Sequence, residues 1–150
     1  KHDQVYLTEL HQLFMQKVIR AQMRPKGFEA IKKHQALGHA IVGITATSDF
    51  ITAPIFREFG ITEIIATNAE VVDGKYTGKV TGIPCYQKGK LARLDQWLDG
   101  RDVEESWAYS DSINDRFLLE YATHAIAVNP DDRLEQLAQQ QGWEIQDWSI

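Results

Sequence analysis

The chain has 150 residues, 43% hydrophobic and 25% charged, enough for one soluble globular domain with a sizeable core. Its 16 Lys plus Arg against 21 Asp plus Glu give a net charge of −5 with no basic run, which argues against nucleic acid or an anionic membrane as partner. The single cysteine, Cys85, excludes an internal disulfide and a Cys-rich zinc site; with no signal-peptide pattern or membrane-length apolar run visible, a reducing, cytoplasmic setting is expected.

Residues 1–23 predict an amphipathic helix, with Leu7, Leu10, Phe14, Val18 and Ile19 at helical spacing and Leu13 alongside. Pro25 marks a break or a new helix start, and a second helix is expected over 27–37, ending at Gly38. Residues 40–44 are near-continuously apolar, as a strand covered on both faces should be. They run into Thr45-Ala-Thr-Ser-Asp49 and then a short helix over 50–59, in which Pro54 is tolerated if it lies in the first turn. Such a hydroxyl-rich corner either presents a hydroxyl and backbone N–H groups to an anion or simply caps the helix.

A short strand is expected over 63–66, and residues 70–80 read as a hairpin turning at Asp73-Gly74. Leu91, Leu94, Trp97 and Leu98 then mark a helix whose first turn holds Lys90. A cation there is mildly unfavourable, so Lys90 is either an ordinary surface lysine or has a functional reason. Ser106-Trp-Ala-Tyr109 reads as a buried strand leading to Asp111, Ser112, Asn114 and Asp115, with a helix beginning near Phe117. Asp111 and Asp115 either face one point, as hard oxygen ligands for Mg²⁺, or belong to a polar N-cap and first turn. A strand over 125–128, a helix over 133–141 capped by Asn129-Pro-Asp-Asp132, and a terminal edge strand complete the order. This alternation predicts an α/β fold: a three-layer, Rossmann-like, mostly parallel sheet with a small antiparallel flap hairpin.

Six fragments at consistent spacing are Ile44-Thr-Ala-Thr-Ser-Asp-Phe50, Ile65-Ala-Thr-Asn-Ala-Glu-Val71, Asp73-Gly-Lys-Tyr-Thr-Gly-Lys-Val80, Gly82 to Lys90, Tyr109-Ser-Asp-Ser-Ile-Asn-Asp115 and Ala127-Val-Asn-Pro-Asp131. Together they resemble the haloacid dehalogenase superfamily, in its phosphoserine-phosphatase-like subfamily. The resemblance implies a Mg²⁺-dependent phosphomonoester hydrolase that acts on a small phosphorylated metabolite through an aspartyl-phosphate. It implies that Thr45 and the Ala46 backbone N–H bind the phosphoryl group, that Lys90 neutralises its oxygens and that Asp111 ligates Mg²⁺. Ser112, Asn114 and Asp115 would support the site, Asp115 either through the metal's waters or by holding Lys90. The family's first motif, an Asp-x-Asp carrying nucleophile and acid/base, does not occur in this sequence. The expectation is therefore a terminal cap helix over 1–23 and a core over 24–150 missing its first strand. Either a further N-terminal segment or a homo-oligomer would fill that place, and the chain alone would be inactive. The competing reading is a non-catalytic α/β binding or assembly module.

Overall fold

The computed structural model describes residues 3–150. Close contacts divide the chain into two units, one running to Cys85 and one from Tyr86 to Ile150. In the first unit, α1 (Gln4–Phe14) continues through a π-helical turn (Met15–Ile19) into α2 (Arg20–Gln22). Residues 1 and 2 of the expected helix lie outside the described residues. Pro25 opens α3 (Pro25–Ala36), where its missing N–H and preset φ cost nothing.

β1 (Val42–Ser48) pairs in parallel with β2 (Glu63–Val72), and β2 pairs antiparallel with β3 (Lys75–Thr81). The expected short strand and the first arm of the hairpin are one continuous strand. Asp73 and Gly74 have φ of +51° and +72°, the paired positive values that a two-residue hairpin turn requires. The crossover from β1 to β2 is α4 (Asp49–Glu58), packed on both strands. Pro54 lies inside α4, beyond its first turn, so the Phe50 carbonyl loses the N–H that residue 54 would supply.

The long first helix packs by the row Leu7, His11, Met15 and Ile19, of which His11 and Met15 are buried. Leu10, Leu13, Phe14 and Val18, expected to point inward, are 39% to 50% exposed. Periodicity identifies an apolar row; contacts with α4, among them Arg20 on Glu58 at 2.7 Å, decide which row turns inward.

The second unit begins with α5 (Lys88–Leu98). Then come β4 (Trp107–Ser110), a 3₁₀ turn (Ile113–Asp115), α6 (Arg116–Tyr121), β5 (His124–Val128), α7 (Asp132–Gln141) and β6 (Glu144–Gln146). The three strands are all parallel, in the order β4-β5-β6. Leu119, Ala125, Ala127, Leu134 and Ala138 form the core, with Ala108, Ile113 and Trp143 against it. Burying each of the two leucines contributes about 1.5–3 kcal/mol. His124 stacks on Trp107 at 4.8 Å and meets Glu105 at 2.7 Å, a structural histidine.

The α/β class, the parallel pairing and the flap hairpin are those expected. The strands are divided between two ladders, however: among the described residues β1 pairs with β2 and β4 with β5, and no ladder joins β1 to β4. Strands hydrogen-bond only at about 4.8 Å spacing, and each of these two has an edge that no strand among the described residues fills.

Gly43 on β1 is required by packing. A Cβ there would lie 2.5 Å from Cε1 of Phe56 on α4. Gly43→Ala should destabilise the protein by about 1–3 kcal/mol through overpacking, with Phe56→Leu in the same chain recovering part of the loss in denaturant unfolding.

Candidate active site

The loop after β4 is organised by charge burial. Lys90, in the first turn of α5, is 6% exposed. An ammonium removed from water needs a counter-charge, and its Nζ donates to Oδ1 of Asp115. The other carboxylate oxygen of Asp115 accepts from the Ser110 hydroxyl at 2.8 Å, and Ser110 Oγ accepts from the Ser112 amide at 3.2 Å. Asp115 thus contacts Lys90, as one of the two arrangements expected for it requires. Ammonium has three protons, so Lys90 keeps donors for an incoming anion.

Ser112 caps the 3₁₀ turn, its hydroxyl accepting from the Asn114 amide at 3.3 Å. Asn114 accepts from the Tyr86 hydroxyl at 3.4 Å. Asp111 is exposed, and its carboxylate has no hydrogen-bond or ion-pair partner among the described residues. Its backbone is nevertheless fixed, because its carbonyl accepts from the Asp131 amide at 2.8 Å.

Asp131, expected in the cap of the last helix, has a second role. It caps α7 through Oδ1, accepting from Arg133 and Leu134, and its Oδ2 accepts from the Ile113 amide at 2.8 Å. One side chain thus ties the loop after β5 to the loop after β4, on either side of Asp111. Burial pushes its carboxyl up, but amide donation from Ile113, Leu134 and Arg133, with the Ser112 hydroxyl, outweighs that and holds it below the usual carboxylate range. The Asn-Pro-Asp sequence signals the cap; nothing in it signals the tie to Ile113.

Thr45 and Ala46 belong to the first unit. The β1–β2 register runs Ile44↔Ile65 and then Ser48↔Thr67, so four steps on β1 oppose two on β2. Thr45, Ala46 and Thr47 bulge out of the ladder, a device that frees amides and re-aims side chains near functional sites. Thr45 Oγ1 accepts from the Thr47 amide at 3.2 Å. Ser48 then caps α4, accepting from the Phe50 amide at 3.3 Å. Ser48 fills the cap role, so Thr45 and Ala46 are not needed for it.

A carboxylate with no protein partner on a fixed backbone is a fitting donor for a hard cation that keeps most of its water, as Mg²⁺ does. Among the described residues no three metal-ligating side chains converge, so Asp111 would supply one ligand of the set.

A family model described as haloacid dehalogenase-like hydrolase matches residues 2–120. The chain is 37% identical over 151 residues to the histidinol-phosphatase of Neisseria meningitidis, covering 97% of this chain and 68% of that protein. It is 38% identical to the phosphoserine phosphatase SerB1 of Mycobacterium tuberculosis, covering 81% of this chain and 40% of that one. The chain thus spans about two thirds of the first relative and two fifths of the second. A Bordetella pertussis protein of unknown function has a crystal structure that superposes with a TM-score of 0.94 at 41% identity, over 99% of this chain and 69% of that one.

Two outcomes follow from the loop geometry. Asp115→Ala leaves the Lys90 charge buried and unpaired and should destabilise by about 3–5 kcal/mol, while adding Lys90→Met should restore most of it in urea unfolding. Asp131→Ala should cost about 1–2 kcal/mol through the lost cap. A depressed folded-state carboxyl stabilises fully above its unfolded value of about 3.9 and loses that contribution as pH falls through the folded one. The gap between wild type and Asp131→Ala should therefore persist at pH 7 and close below about pH 4, read as unfolding midpoint against pH.

Proposed function

The chain belongs to the haloacid dehalogenase-like hydrolase family, and from that premise we propose that the protein carrying it is a Mg²⁺-dependent phosphatase of small phosphorylated metabolites. The observation that carries this reading is the buried Lys90, held by Asp115, whose other carboxylate oxygen accepts from Ser110 at the carboxyl end of β4. An enclosed ammonium with spare donors at a parallel strand end suits an anionic phosphoryl group.

In this reading Thr45 donates its hydroxyl to the transferring phosphoryl group, and the freed Ala46 amide adds a second donor. Lys90 neutralises the phosphoryl oxygens, and Asp115 keeps its ammonium in place. Asp111 holds Mg²⁺, which when bound neutralises charge developing on the transferring group. Phosphoryl transfer demands little of a protein beyond such positioning and charge stabilisation. The attacking carboxylate, on which an aspartyl-phosphate would form, and its acid/base partner are not in this sequence, which holds no Asp-x-Asp. We assign α1 and α2 to the end of a substrate-covering cap and residues 24–150 to the catalytic core. Among substrates, histidinol phosphate is favoured by the match to the neisserial relative across 97% of the chain, with phosphoserine next.

The test is turnover of a small-phosphate panel by the full-length protein, with and without Mg²⁺. Lys90→Met should cut kcat by about 10²-fold or more, the loss of one strong transition-state contact. Asp111→Asn should raise the Mg²⁺ concentration for half-activity. Undiminished Mg²⁺-dependent turnover in both variants removes the assignment; no turnover of any phosphate favours the non-catalytic module.

A further inference from the structure

Backbone strain in the second unit falls on a residue two places before Lys90. Asp73, Gln87, Asp99 and Asn129 are the non-glycine residues with positive φ among the described residues. Asp and Asn tolerate such values better than most residues. Gln87 has no such excuse, and its φ of +45° and ψ of −119° lie outside the left-handed helical region altogether. These are the angles of the first central residue of a type II′ turn, a place that favours glycine. The Gly89 amide closes that turn on the Tyr86 carbonyl at 2.8 Å. Gln87 is exposed, so burial of its side chain does not offset the strain. Strain of this kind persists only where the surroundings over-determine it, and it clusters at functional sites.

Two sets of bonds hold Gln87. Its carbonyl, aimed by that ψ, accepts from the Lys90 amide at 3.0 Å in the first turn of α5. Its side-chain amide donates to the Tyr86 hydroxyl at 3.3 Å, and that hydroxyl donates to Oδ1 of Asn114 at 3.4 Å. Asn114 precedes Asp115 in the 3₁₀ turn. Lys90 and Asp115 are therefore joined twice, directly as ammonium to carboxylate and indirectly through Gln87, Tyr86 and Asn114. A relaxed residue 87 would aim its carbonyl elsewhere and lose the side-chain belt with it. The start of α5, and Lys90 in it, would then be free to shift against the loop after β4.

We propose that Gln87 is a positioning residue for Lys90, its strained turn and its hydrogen-bond belt to Asn114 fixing the start of α5 against the loop that carries Asp115. The inference rests on the phosphatase reading and adds a residue that acts through Lys90 without touching the substrate.

The full-length protein tests it by two readouts. The first is turnover of whichever phosphate of the panel is hydrolysed fastest. Glycine adopts the Gln87 backbone without strain, so Gln87→Gly should raise the urea midpoint. It should nevertheless lower kcat by about tenfold, with KM little changed, because misplacing a group that acts in the transition state costs rate. Tyr86→Phe, which keeps the ring and the strained backbone and removes both belt hydrogen bonds, should lower kcat by less. The second readout is the ¹³Cε shift of Lys90, assigned by its loss in Lys90→Met. It should move toward the position of exposed lysines in Gln87→Gly and, by less, in Tyr86→Phe. A stabilised Gln87→Gly protein with wild-type kcat makes residue 87 a tolerated turn position and overturns the inference while the phosphatase reading stands. A lowered urea midpoint contradicts the strain and overturns it as well, and so does an unmoved Lys90 signal whatever the kcat. If no phosphate is turned over, the phosphatase reading fails and with it the catalytic purpose, while the Lys90 signal decides separately whether Gln87 places that side chain.

Discussion

Burial of one ammonium organises the second unit. A lysine at 6% exposure is tolerable only with a counter-charge in direct contact. Asp115 supplies it, and this dictates the path of the loop that follows β4. Asp115 must turn back toward α5, so the chain tightens into a 3₁₀ turn, Ser110 supports the free carboxylate oxygen, and Ser112 caps the turn. Asp111, at the apex, is left with its backbone fixed and its carboxylate without a partner among the described residues.

The loop after β5 is built to hold the same apex. Asn129 adopts φ of +42°, a left-handed conformation that Asn tolerates better than most residues. Its side chain accepts from the Trp148 amide at 2.9 Å and donates to Asp147 at 2.6 Å, so the C-terminal segment stabilises the turn. Two residues later Asp131 serves a helix cap and a neighbouring loop with one carboxylate. Parallel strands bring successive loops to one edge, and here side-chain hydrogen bonds convert that proximity into a rigid platform.

In the first unit the constraint is steric. Gly43 lets Phe56 approach the backbone of β1, which seats α4 against the strand. The bulge at Thr45–Thr47 then releases the strand end from its ladder just before Ser48 caps that helix. With α4 seated, its first turn presents the Ile51 carbonyl to His11.

Much of this was legible in the sequence. Apolar runs, caps and the Asp73-Gly74 turn are local signals, and they gave the helices, the parallel α/β pattern and the flap because backbone preference and periodicity act over a few residues. Six short fragments between Ile44 and Asp131, in order, carried the family resemblance. Other features depended on tertiary contacts. Which helical row is buried was decided by α4, which draws in His11 rather than Leu10. Asp115 faces Lys90 because that side chain is buried, and burial is a property of the packed unit. The bulge at Thr45 depends on the register with β2, and the role of Asp131 on a loop 18 residues away. Each of these is a pairing between distant segments, and no local pattern encodes the partner.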